Sequence, residues 1–230
     1  MGWLNAIQSL IILLMALWIL RHSRYHREQS VSKPEPIVRV YVVPGGRMPE
    51  RKTKGAIGFD TYLRAIVDPF DMEPDGILRK LIFDFESIPD DPDLKKHIAR
   101  EPREDGKGTE LVYWLEPGES VLVGIGFITA MEFPMFYWAA PRSGWAAKYR
   151  INLANAPGTI DPDYRGEAGI LVVNQGKKRF ALRRGMRIAQ GIFSEAIIPE
   201  LQLVSSRDEL GDTARGSGGF GSTNEGQKAA

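Results

Sequence analysis

The chain has 230 residues, 43% apolar and 26% charged, which suits one globular domain with an appendage and excludes a collagen-like or wholly disordered chain. Thirty basic against 29 acidic side chains leave a formal charge of +1, so no global field argues for a nucleic-acid partner and none is expected. The absence of cysteine removes disulfides, thiolate zinc sites and cysteine nucleophiles. Fifteen prolines and 24 glycines spread along the chain predict short strands and many turns, hence an all-β domain.

In chain order, Trp3 to Leu20 carries no charge and contains the unbroken apolar run Leu10 to Leu20. About 18 helical residues span the hydrocarbon layer of a membrane. Arg21, Arg24 and Arg27 follow at once, and Leu20-Arg21-His22-Ser23 offers no small-x-small cleavage site, so residues 1–21 read as an uncleaved anchor whose C-terminal flank faces the cytoplasm. A start that docks on its own protein is the alternative. Residues 22–36, polar and containing Pro34 and Pro36, read as a linker.

From Ile37 strand signals dominate. Val38 to Val42 alternates, Ser120 to Val123 follows the turn Glu116-Pro117-Gly118-Glu119, and Ile170 to Val173 precedes Asn174-Gln175-Gly176. Short strands with this punctuation predict a barrel or jelly roll over residues 37–204. Between Asp68 and Thr109 lie 12 acidic and seven basic residues, which read as an exposed insertion at about 68–109 with one amphipathic patch, Gly76 to Phe85. Residues 205–230, rich in glycine and small polar residues, cannot bury enough surface to fold alone and read as a flexible arm.

Three segments carry candidate chemistry. Pro141-Arg142-Ser143-Gly144 offers a guanidinium, a hydroxyl and open amides, the donor set an oxyanion or phosphate needs, although a capped turn has the same composition. Arg215 to Ser222 gathers an arginine, two hydroxyls and glycine amides around Phe220, a pattern suited to phosphates plus one stacked base, or to a glycine linker. Asn155 to Gly166 reads as a hairpin bent at proline and glycine; Asp161 and Asp163 there either polarise a water or bond their own turn.

Taken together and in order, these pieces resemble the five motifs of the trimeric dUTPase family over residues 37–224. Gly55 to Asp60 is similar to the first, Pro141 to Gly144 to the second, Gly158 to Gly166 to the third, Gly185 to Gln190 to the fourth and Arg215 to Thr223 to the fifth. The resemblance implies a distorted jelly roll (β-clip) trimer that hydrolyses dUTP to dUMP and pyrophosphate with Mg2+. Such an activity limits uracil incorporation into DNA and supplies dUMP, and each site is built from more than one subunit.

By the same resemblance, Asp161 orients and deprotonates the attacking water and Tyr164 packs on the deoxyribose. Asn155, Thr159, Ile160, Asp161 and Gly169 read the uracil edge, and Arg142, Ser143, Gly144 and Gln190 hold phosphate oxygens. Arg215, Gly218, Gly219, Gly221 and Ser222 close over the γ-phosphate while Phe220 covers the base, and Asp60 reaches magnesium through water. Departures from the pattern are Ile57 before the first-motif glycine, the extra Thr61-Tyr62 before Leu63, Trp145 in place of leucine, the charged insertion and the apolar N-terminus. Two rivals stand beside this reading. A dCTP deaminase needs a glutamate on the strand after the third motif, where Ile170 to Val173 has none, and Glu167 lies too early. A membrane-anchored nucleotide-sensing or protein-binding module could keep the fold without turnover.

Overall fold

The computed structural model describes residues 15–18 and 35–218. Most of the expected N-terminal anchor and linker therefore lies outside the described residues. Met15 to Trp18 are helical and exposed, and no helix among the described residues is long and apolar enough to cross a membrane. The chain divides into two compact units, Met1–Glu195 and Ala196–Ala230.

The first unit is all-β, as composition predicts. Its strands are β1 (Arg39–Val42), β2 (Phe59–Tyr62), β3 (Ala65–Met72), β4 (Arg79–Phe83), β5 (Ile98–Pro102), β6 (Thr109–Leu115), β7 (Ser120–Gly124) and β8 (Phe127–Ala130). They continue with β9 (Met135–Ala140), β10 (Ile151–Leu153), β11 (Gly158–Ile160), β12 (Gly169–Asn174), β13 (Phe180–Leu182) and β14 (Arg187–Glu195). Two short helices, α1 (Pro92–Lys95) and α2 (Ser143–Tyr149), interrupt them. The strands form sheets ordered β1-β8, β10-β12-β7-β3-β4, β11-β9-β14-β2 and β13-β6-β5, with every pairing antiparallel.

Alternation supplies the core. In β12 the pattern Gly169 to Asn174 turns Ile170, Val172 and Asn174 inward, and Val172 meets no solvent at all. Leu115, Val123, Ile125, Phe127, Tyr137 and Leu182 join it between the sheets. Each such side chain contributes about 1.5–3 kcal/mol of hydrophobic stabilisation when fully buried.

Two sequence expectations need correction. The segment 68–109 is not simply an exposed insertion: β4 closes one edge of the five-stranded sheet, β5 pairs with β6, and Phe83 and Phe85 enter the core. Most of its charged residues are exposed and they dominate its composition, which hid its strands. The stretch Asn155 to Gly166 is not a hairpin either. β10 pairs with β12 while β11 pairs with β9 in another sheet, because the alternating inward residues of each strand face different layers.

In the second unit, Ser206 caps a 3-10 turn (Arg207–Leu210), with its hydroxyl accepting from the Asp208 amide and Glu209 accepting from the Ser205 and Ser206 amides.

Candidate active site

The second-motif residues sit where strand becomes helix. β9 ends at Ala140, Arg142 stands at the N-cap with extended backbone, and Ser143 and Gly144 open α2 with both residues exposed. Arg142 makes no capping bond, so this is not the ordinary capped turn. Its side chain turns instead toward β14 and β2, donating from Nη1 to the Arg187 carbonyl (3.2 Å), while Nε lies 3.5 Å from Asp60 Oδ1.

Asp60 is buried on β2 directly opposite Gln190 of β14, and its Oδ2 accepts from Arg187 Nη1 at 2.9 Å. The sheet register thus gathers Asp60, Arg142, Arg187 and Gln190 from three strand ends. Burial, then the Arg187 guanidinium, depress the Arg142 pKa, with Asp60 pulling it back. Two guanidiniums share one carboxylate, leaving a local positive charge that an anion would relieve. A Cβ on Gly58 would lie 2.5 Å from Gln190 Oε1, so a side chain there would push the Gln190 amide aside. The added Thr61-Tyr62 is absorbed by β2, where Thr61 and Tyr62 are buried, the Tyr62 hydroxyl donates to Glu50 and Arg47 lies over the ring.

Asp161 follows β11 on an exposed loop, and its carbonyl accepts from the Tyr164 amide at 3.2 Å. The Tyr164 hydroxyl donates to the Glu167 carbonyl at 3.0 Å and its ring folds over Gly166, where a Cβ would lie 2.5 Å from that hydroxyl. Thr159 and Asn155 are exposed and Ile160 is half-buried. Asn155 Nδ2 would stand 3.2 Å from a Cβ on Gly158, so a side chain there would displace it. Gly169 begins β12 opposite Gly124, its own Cβ position 2.9 Å from Leu122.

Sequence reasoning missed what holds this loop. Glu167 is completely buried; its carboxylate takes Arg64 Nε at 2.8 Å and Nη2 at 2.5 Å, with a third bond from the Gly126 amide at 2.8 Å. The Glu167 amide donates to the Ile77 carbonyl in the β3–β4 connection, so the charged segment also supports the loop. A Cβ on Gly124 would lie 2.6 Å from Glu167 Oε1, so the glycine makes room for the carboxylate. Arg187 was missed as well; its position three residues before Gln190, on the same strand, was the available signal.

The two halves do not meet within one chain. β2 and β11 are opposite edges of one four-stranded sheet, and Asp161 lies about four residues down the register from Asp60. With strands about 4.8 Å apart and about 3.3 Å of rise per residue, Asp60 and Asp161 stand about 20 Å apart. In the second unit, Arg215 Nε donates to the Gly218 carbonyl at 2.9 Å in a local turn, while Gly219, Phe220, Gly221 and Ser222 lie outside the described residues.

A sequence model of the dUTPase family matches residues 112–224. A deoxyuridine 5'-triphosphate nucleotidohydrolase of Gloeothece citriformis is 49% identical over 111 residues, 47% of this chain and 73% of the relative. The chain belongs to the dUTPase family. A Brucella melitensis relative of the same name is 48% identical over 111 residues, covering 68% of that protein. Among solved structures, a Staphylococcus bacteriophage 80alpha dUTPase variant with dUpNHpp aligns with a TM-score of 0.54 at 19% identity, over 81% of this chain and 98% of that one. The phage phi11 dUTPase, described with a structural Mg(II) ion, aligns at 0.51 and 16% identity, over 75% and 99% of the two chains. These two share the fold with this member of the dUTPase family.

Proposed function

We propose that the protein hydrolyses dUTP to dUMP and pyrophosphate in an oligomer, a trimer as the family implies, whose sites combine the Arg142 cluster of one chain with the Asp161 loop of another. The observation that carries this reading is that two half-sites matching family motifs lie at opposite edges of one four-stranded sheet, about 20 Å apart by ideal strand spacing, too far for one phosphate to bridge. Asp161 holds a water in line with the α-phosphorus and takes its proton; the water oxygen bonds to phosphorus as the bridging oxygen leaves with pyrophosphate. Arg142, Gln190 and the Ser143 and Gly144 donors hold the phosphate oxygens, stabilising the charge that builds on them. Asn155 with the Thr159, Ile160 and Gly169 backbone reads the uracil edge. Pyrophosphate release from dUTP, dCTP, dTTP and UTP, with and without magnesium, tests the function directly; no preference for dUTP refutes it.

Magnesium fits as an ion carried by the nucleotide. No group of three acidic or histidine side chains among the described residues could hold an ion alone, and Asp60, engaged by two guanidiniums, is suited to contact through water. When bound, Mg2+ would neutralise phosphate charge.

Tyr164 is read as the sugar gate, its ring leaving no room for a ribose hydroxyl. Tyr164→Ala should lower the preference for dUTP over UTP by about tenfold or more, measured as the ratio of kcat/KM values. An unchanged ratio assigns the selection elsewhere. The arm from Arg215 through Phe220 to Ser222 is read as closing over bound nucleotide. Deleting residues 215–230 should preserve the oligomer by sedimentation and cut kcat/KM roughly a hundredfold, the scale of losing preorganised donors; full activity in the truncation makes the arm a linker.

The charge-free stretch from Trp3 to Leu20 followed by Arg21, Arg24 and Arg27 supports an anchor holding the enzyme at the cytoplasmic face, where its triphosphate substrate resides. Membrane fractionation should pellet the full chain and leave a form lacking residues 1–28 in the supernatant. Equal partition of both forms removes the anchor.

A further inference from the structure

A second cleft, of about 520 Å3, opens beside α2, and none of the candidate active-site residues lines it. Such a volume suits a ligand of nucleotide size. One wall is aromatic. Phe180 stands between Trp145 and Tyr149, with ring centroids 5.1 and 5.3 Å away, and Tyr149 is 43% exposed. The turn between β12 and β13, where Lys177, Lys178 and Arg179 are exposed, also lines it. Lys148 and Arg150 flank it from the end of α2. None of these five cations forms an ion pair among the described residues, whereas the cleft's carboxylate, Glu104, lies 3.9 Å from Arg183.

The basic turn is held in shape from beneath. Asn174, with no exposed surface, donates from Nδ2 to the Leu115 and Lys178 carbonyls at 2.9 Å each and accepts from the Gly176 amide at 2.9 Å. Gly176 packs on the end of α2, where a Cβ would lie 2.7 Å from the Tyr149 carbonyl. The Arg179 guanidinium lies 4.0 Å over the Trp114 ring, and the buried Trp114 Nε1 has no acceptor among the described residues. A fully buried asparagine thus fixes three adjacent cations against a wall of rings.

We propose that this cleft binds a nucleoside phosphate, with its base against Tyr149 and Phe180 and its phosphate on the Lys177 to Arg179 turn. The ligand is either a free nucleotide or one residue of a single-stranded nucleic acid. Cations that neutralise phosphate beside rings that accept any base are the common chemistry of both. The overall charge of +1 does not oppose this, because attraction of this kind is set by the local cluster. A flat lipid surface fits less well, since the rings line a concave slot.

The full-length enzyme is titrated with two adenine probes, chosen because a uracil-reading site does not accept them: AMP by calorimetry and a 5'-phosphorylated ten-residue oligodeoxyadenylate by fluorescence anisotropy. At least one should bind, and Lys177→Glu with Arg179→Glu should weaken it tenfold or more. For the oligomer, the slope of log affinity against log salt should fall by about 2. Tyr149→Ala should cost roughly fivefold or more through lost stacking. Lys80→Glu, on the distant strand β4, should change neither, and dUTP turnover should be unaffected in all three variants. AMP binding identifies a free nucleotide as the ligand; binding of the oligomer alone identifies a strand. If neither probe binds, or if binding survives the charge reversals or Tyr149→Ala, the proposal is overturned, irrespective of whether the enzyme hydrolyses dUTP.

Discussion

Replacing Asp161 with asparagine should lower kcat for dUTP by roughly two to four orders of magnitude, the scale of a positioned general base, while nucleotide binding and folding persist. Asp161 is exposed beyond β11 and forms no side-chain bond among the described residues, so the change removes proton acceptance and little else. Mixing makes the test sharper. Asp161→Asn and Arg142→Ala chains are each expected to be inactive alone, yet refolded together in equal amounts they should regain about a quarter of wild-type activity. That is the fraction of composite sites in which both contributors are intact when neighbours associate at random in a closed ring. Unchanged turnover in Asp161→Asn removes it from catalysis, and mixtures that regain nothing place both half-sites in one chain.

The largest stability effect is expected at the buried pair. Glu167→Leu leaves the Arg64 guanidinium, 7% exposed, without its carboxylate and the Gly126 amide without its acceptor. Breaking one side of such a pair costs about 3–5 kcal/mol. Urea unfolding at fixed chain concentration should show the midpoint falling by a corresponding amount, and the double variant Arg64→Met with Glu167→Leu should recover much of the loss, because no stranded charge remains. Equal stability of Glu167→Leu and the wild type would show the pair to be dispensable. The two variants also separate scaffold from chemistry. Tyr164 leans on the Glu167 carbonyl, so a recovered fold with a shifted dUTP-to-UTP ratio would show that the carboxylate positions the ring proposed as the sugar gate.

The buried Glu167 also weighs against the deaminase reading. Glu167, the carboxylate nearest to where a deaminase would need one, is spent on Arg64 and Gly126 with no exposed surface, so it has no access to a substrate amine. A pure sensing module would need phosphate donors but no exposed aspartate such as Asp161 on a loop held by a buried ion pair. The membership of the chain in the dUTPase family, shown by relatives at 48 and 49% identity over most of their length, agrees with turnover.

The sequence by itself determined the β class, the position of several strands and the order of the five motifs, because these depend on local alternation, turn residues and spacing. Val38 to Val42, Ser120 to Val123 and Ile170 to Val173 lie within or across β1, β7 and β12 for that reason. Tertiary structure decided the rest. That Asp60 is clasped by Arg187 follows from β2 pairing with β14, a contact between residues 127 apart that no local pattern encodes. Likewise Arg64 and Glu167, 103 residues apart, are ordinary surface-type residues in sequence and become a buried pair only when β3, β7 and the loop after β11 converge. The strands inside the charged segment were hidden because exposed charged residues dominate its composition, and the break between β10 and β11 was hidden because proline and glycine mark a change of sheet as readily as a hairpin. Local propensity fixes which residues extend and turn; only the register between distant strands fixes which side chains share a site.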